Sequence, residues 1–265
     1  MIYILRSIFK VLKIPYYMRC AIALYGQPRD YQTGFYKIDS FIKLNDGIQF
    51  DFFFHCLTLN DGSTYNHSPW RNVDIKCISN NDNIIPSLID IYNPKKYEYE
   101  IQRASFIDLS GTIAMHNTKG LKYNNVNNTL SQMYSRNKVR NLVNDYVHTN
   151  SVRYDFVIMT RFDYPHQINL NVKDLDDSNT YVSDVHRPRN IIADNFIICP
   201  LYTFLNWMNI YDNLINIVNN TAISYTVKGY GENLEINPEE LLFANYLYYN
   251  RNLDKIVYTN TIKNI

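Results

Sequence analysis

The 265-residue chain carries 46% hydrophobic and 19% charged residues, the balance of a globular protein with enough apolar side chains to bury a sizeable core. Its formal net charge of +1 supplies no field that would draw it onto nucleic acid, and no run reaches the roughly 18 consecutive apolar residues of a membrane span. Four cysteines (Cys20, Cys56, Cys77, Cys199) without a CxxC pair argue for buried thiols in a reducing compartment, against a disulfide framework or a zinc site. With 24 tyrosines, neighbours such as those in "NPKKYEYE" arise by chance and say nothing about base stacking.

The first segment, "MIYILRSIFKVLKIPYYM", spaces Arg6, Lys10 and Lys13 on one helical face and Ile4, Leu5, Ile8, Val11 and Leu12 on the other. It lacks the uninterrupted apolar centre and small-residue cleavage site of a signal peptide. Residues 1–18 are therefore expected as an N-terminal helix or extension packed on the domain. A peripheral contact of residues 1–14 with an anionic membrane surface is the alternative. The corresponding location is cytoplasmic, with or without membrane association.

After Pro15 the chain alternates. "CAIALYG" (Cys20 to Gly26) reads as a strand, and "YQTGFYKIDSFIKLN" as a helix with Phe35, Ile38, Phe41 and Ile42 on one stripe, ended by "NDG". "IQFDFFFHC" (Ile48 to Cys56) is a second strand, residues 57–83 a polar loop, Pro86 to Tyr92 a short helix and "KYEYEIQ" a third strand. Residues 104–126 show no period. "TLSQMYSRNKVRNLVNDYVH" has apolar residues at helical spacing around a polar middle, and 154–160 is a fourth strand running into Arg161 and Asp163. Short strands are expected near Tyr181 and at "DNFIICP". One long helix is expected over "LYTFLNWMNIYDNLINIV", a turn at "KGYGENLEINP", a helix from Pro238 and a last strand at "KIVYT". Alternating strands and helices predict one α/β domain over 19–265. Its sheet is mixed but mainly parallel, flanked by helices on both faces, with antiparallel additions in the second half.

In such sheets ligands bind beyond the carboxyl ends of the strands, at the point where strand order reverses. The first strand exits into Gly26, Gln27, Pro28 and Arg29, the second at His55, and the fourth into Arg161 and Asp163. If these strands are parallel neighbours, their charges share one rim. Arginines give forked hydrogen bonds to phosphate oxygens, and an aspartate can hold a hard divalent cation, so the set suits a diphosphate. Taken singly, Arg29 with Asp30 is equally a solvated turn, and Arg161 with Asp163 a surface ion pair. No GxGxxG, P-loop or GxSxG pattern is present. Asp194 and Glu239 or Glu240 are the acids available for proton transfer. Asp194 also reads as a turn cap, and the glutamates as first-turn acids at a helix N-terminus. His166 and His186 read as structural histidines, and Gly229 with Gly231 as a surface turn or a lid.

The ordered set "IALYGQPRDY", "FDFFFHC", "YDFVIMTRFD", "ADNFIICP" and "NPEELLFANYL" resembles the GT-A-fold glycosyltransferase-like proteins of large DNA viruses and polysaccharide gene clusters, over about residues 20–250. The resemblance implies a Rossmann-related fold with a nucleotide-binding half (about 19–165) and an acceptor half (about 166–265). It also implies transfer of a sugar from a nucleotide-diphosphate donor to a saccharide, lipid or protein acceptor, in the host cytoplasm if viral. Donor-binding residues would be Gly26, Gln27, Pro28, Arg29, His55, Arg161 and Asp163. Asp194 and Glu239 would be catalytic, and Asp163 would hold Mn2+ or Mg2+. The family's strand-end motif is usually Asp-x-Asp. Here Arg161 stands in the first position, which puts metal dependence in question and leaves a non-catalytic binding module as the alternative.

Overall fold

A computed structural model describes residues 17–58, 84–102, 106–109, 111–113, 126–164, 167–184, 191–229, 232–250, 253–259 and 262–263. The expected N-terminal helix, most of the 57–83 loop, His166, His186 and Gly231 lie outside the described residues.

The chain begins with strand β1 (Arg19–Gly26), helix α1 (Tyr31–Leu44), β2 (Gln49–Thr58), α2 (Ile84–Tyr92) and β3 (Lys96–Ile101). The long helix α3 (Val126–Asn150) and β4 (Phe156–Arg161) follow. The second half contains β5 (Gln167–Ile168), β6 (Thr180–Ser183), β7 (Phe196–Pro200), α4 (Leu201–Trp207), α5 (Leu214–Val218), α6 (Thr221–Lys228), α7 (Pro238–Asn250), β8 (Ile256–Thr259) and β9 (Ile262–Lys263). Seven strands form one sheet in the order β3-β2-β1-β4-β7-β6-β8. All pair in parallel except β7, which runs antiparallel to both β4 and β6. β5 and β9 make a separate antiparallel pair.

This is the expected α/β sheet, mainly parallel, with its antiparallel strand in the second half. The near-continuous apolar runs of β1, β2 and β4 follow from burial on both faces. Along β1, Ala21, Ala23 and Tyr25 join one core, while Cys20, Ile22 and Leu24 join the other. Residues of α3 to α7 build the first core; Tyr31, Ile38, Phe41, Ile84, Leu88 and Tyr92 of α1 and α2 build the second. Phe53, Phe54 and Phe156 are fully buried, and burying each such side chain contributes about 1.5–3 kcal/mol. The described cysteines, Cys20, Cys56 and Cys199, are buried free thiols.

Two departures from expectation have local causes. The helix expected over 201–218 breaks into α4 and α5. Around the break, side chains take the carbonyls a continuous helix would use: Asn245 Nδ2 donates to the Trp207 carbonyl, and Asn213 Nδ2 donates to the Asn209 carbonyl at 2.7 Å. The second departure is β2, which continues to Thr58 rather than ending at Cys56, so His55 lies within the strand and not at its exit.

Candidate functional site

From β1 the chain steps outward to β2 and β3, then returns to the other side of β1 with β4. The order reverses between β1 and β4, which makes their carboxyl ends the topological switch point of the sheet, where open α/β sheets bind ligands.

One register row crosses four strands near that switch point: Glu98, His55, Tyr25 and Arg161 on β3, β2, β1 and β4. The polar middle of α3 packs over this row. Ser135 Oγ meets His55 Nδ1 at 2.8 Å and accepts from the Gly26 amide at 2.8 Å. Lys138 reaches Glu98 at 2.7 Å and Glu100 at 3.2 Å. Arg136, fully buried, donates through Nη2 to the Tyr25 hydroxyl and to the Asp194 carbonyl, and its guanidinium lies 4.1 Å from the Tyr25 ring centroid. Tyr25 in turn donates to the same carbonyl. The polar interruption of an otherwise apolar helical stripe is thus a set of partners for a polar strand row.

At the rim the arginines and aspartates form a chain. Arg161 donates from Nε and Nη2 to the two Asp163 carboxylate oxygens, each at 2.8 Å. Arg29 Nε lies 3.7 Å from Asp163 Oδ2, and Arg161 Nη1 lies 4.0 Å from Asp194 Oδ2. Burial alone would push the Asp163 carboxyl up; the Arg161 charge and hydrogen bonds, with Arg29, outweigh it and hold the group below its ordinary range. The Asp163 charge in turn raises Arg161, so that it stays protonated.

The backbone of this exit is seated on α1. A Cβ on Gly34 would fall 1.7 Å from the carbonyl oxygen of Phe162, the residue between Arg161 and Asp163. Only glycine admits so close an approach. Gly26, at φ +90°, turns the chain out of β1 toward Gln27, buried Pro28 and half-buried Arg29, whose amide donates to the Gln27 carbonyl at 2.9 Å.

Asp194 and Glu239 enter from the second half. β7 runs antiparallel beside β4, which brings the residues before Phe196 to the β4 exit. The Asp194 carbonyl is held by Tyr25 and Arg136, and Asn195 O accepts from Thr160 Oγ1 at 2.8 Å. The Ile192 amide donates to the Glu239 carbonyl at 3.3 Å, tying this segment to the start of α7. Burial first, then the neighbouring Asp194 carboxylate, raise the Glu239 carboxyl to about 7. An acid poised there can take up or release a proton near neutrality.

The structure therefore brings together Gly26, Gln27, Pro28, Arg29, Arg161, Asp163, Asp194 and Glu239 at one end of the sheet. His55 is not among them. It is fully buried beneath α3, near Glu100 at 3.4 Å, and burial lowers its pKa to about 4 against the opposing pull of that carboxylate. Glu240 is structural: it accepts from Lys228 Nζ at 2.8 Å and from the Glu235 amide at 3.0 Å, while its own amide is capped by Asn237 Oδ1 at 2.8 Å. Tyr25, Ser135 and Arg136 were not singled out in the sequence; the polar middle of α3 was the available signal.

A divalent cation at Asp163 does not fit this donor set. Both oxygens are engaged by Arg161, one also faces Arg29, and the next carboxylate, Asp194, lies across the Arg161 guanidinium. Among the described residues, no group of three or more His, Cys, Asp or Glu side chains could hold a metal ion.

Fold and site define an α/β protein with a cluster of arginines and carboxylates at a topological switch point. No family model and no curated protein matches the chain. Among the described residues no helix is long and apolar enough to cross a membrane.

Proposed function

We propose that the chain is a glycosyltransferase, moving a sugar from a nucleotide-diphosphate donor to a hydroxyl of a saccharide, lipid or protein acceptor. The observation carrying this reading is the convergence of Arg29 and Arg161 on Asp163 at the β1/β4 switch point, with Arg29 Nε 3.7 Å from the Asp163 carboxylate. At that switch point the two guanidinium groups would offer donors to the diphosphate oxygens, stabilising charge that grows as the bond from diphosphate oxygen to anomeric carbon breaks. The acceptor oxygen forms the new bond to that carbon, and its proton passes to the Asp194–Glu239 carboxyl pair. Glu239, raised to about 7 by burial and Asp194, can hold that proton.

Thermal denaturation against a panel of nucleotide sugars tests the proposal, since a ligand at about 100 times its Kd stabilises the folded state by about 2.7 kcal/mol. The expected result is stabilisation by one class of nucleotide sugar and loss of that response in Arg29→Gln. Indifference to every donor at millimolar concentration would count decisively against it.

The engagement of Asp163 by Arg161 favours a second reading, a module of the same fold that binds a nucleotide or carbohydrate without chemistry. Hydrolysis of isotope-labelled donor separates the two. A transferase shows turnover that falls in Asp194→Asn and Glu239→Gln, whereas a binding module shows equal background in the wild type and both variants.

A further inference from the structure

Two carboxylates flank the Arg161 guanidinium, Asp163 at 2.8 Å through both oxygens and Asp194 at 4.0 Å from Nη1. A cation bridging two strand-end carboxylates would need that position, and a side chain fills it. Approach from the other edge meets Arg29, whose Nε faces Asp163 Oδ2 at 3.7 Å. Magnesium and manganese require several oxygen ligands in near-octahedral geometry. Asp163, 9% exposed at its side chain and held by two guanidinium donors, would first have to give up its fork. A phosphate meets the opposite situation. Arginine carries five N–H donors, and Asp163 takes only one from Nε and one from Nη2 of Arg161, so that side chain has capacity left for anion oxygens. Arg136 adds a third fixed positive charge behind Tyr25.

On this geometry we infer that the Arg29–Arg161–Asp163 cluster binds the diphosphate of a nucleoside diphosphate without a divalent cation, with Arg161 in the cation's place. Asp163 acts as a positioning residue that sets the plane of the guanidinium. The inference rests on the transferase reading and specifies how its donor is held.

Isothermal titration of the full chain with uridine, guanosine, cytidine and adenosine diphosphates, in excess EDTA and again in manganese, decides it. At least one nucleotide is expected to bind, with Kd agreeing within about threefold between the two buffers, because the protein's charged donors carry the recognition. Arg161→Gln is expected to weaken binding by about tenfold or more in both buffers. Arg29→Gln, which leaves the Arg161–Asp163 fork intact, is expected to weaken it in both as well, which guards against misfolding of the first variant. Manganese tightening of wild-type binding by more than about threefold overturns the inference while leaving the transferase reading standing. Failure of all four nucleotides in both buffers sinks both.

Discussion

Arg161 and Asp163, two residues apart in sequence, close a forked pair across a strand exit, with both nitrogen-to-oxygen distances at 2.8 Å. The intervening Phe162 is fully buried, so the two charged side chains cannot swing outward together. The pair is partly shielded, at 29% and 9% side-chain exposure, and its worth lies between a surface and a fully buried ion pair. Asp163→Ala is expected to lower unfolding stability by about 2 kcal/mol, read from the urea midpoint. Arg161→Ala is expected to cost no less, since Asp163 then loses both bonds of the fork and faces Arg29 at 3.7 Å.

Gly34 places α1 directly against the Phe162 carbonyl. Gly34→Ala would force the helix away from the β4 exit or displace the exit itself, at a cost of about 3 kcal/mol. Calorimetry checks the stability loss. A parallel loss of nucleotide binding is expected because Arg161 and Asp163 bracket the displaced residue. Retained melting temperature with unaltered binding would refute the seating of this exit on α1.

Glu239 gives the fold a signed pH dependence. Its folded value of about 7 lies above the ordinary 4.5, so the native chain binds a proton that the unfolded chain has released between those values. Stability from this group is therefore present below about pH 4.5 and declines as pH rises through about 7. Glu239→Gln should raise the melting temperature at pH 8 and leave it nearly unchanged at pH 4.5. Arg136 counters this shift, being a nearby positive charge that lowers the Glu239 value. Arg136→Met is accordingly expected to move the Glu239 transition upward in carboxyl-carbon NMR titration, at a stability cost of about 1–2 kcal/mol.

His55 contributes the opposite slope. Burial holds its folded value near 4, below the ordinary 6.5, so the unfolded chain gains a proton first as pH falls. Its contribution is intact above about pH 6.5 and is lost progressively toward pH 4. His55→Gln is expected to flatten acid destabilisation over that window. An unchanged slope would mean that the ring titrates freely beneath α3.

Much of the framework was legible in the chain itself. The runs of β1, β2 and β4 are apolar because both sheet faces are buried, and their charged exits mark the rim because a ligand-facing loop has no core to enter. Gly26, Arg29, Arg161 and Asp163 could therefore be placed at strand ends before any strand was assigned a neighbour. His55 lies elsewhere because strand length depends on pairing: β2 pairs with β3 as far as Thr58, which leaves His55 inside the strand. The 201–218 stripe failed because carbonyls near its centre are taken by side chains, one of them from α7.

Local pattern thus determined the two-faced sheet and the positions of its charged exits, since alternation and burial are properties of neighbouring residues. Tertiary structure alone decided that Arg161 occupies the gap between Asp163 and Asp194, and that Arg136 stands behind Tyr25. Those contacts join residues up to 111 positions apart. Their distances depend on how β4, β7 and α3 pack, and no spacing along the chain encodes that.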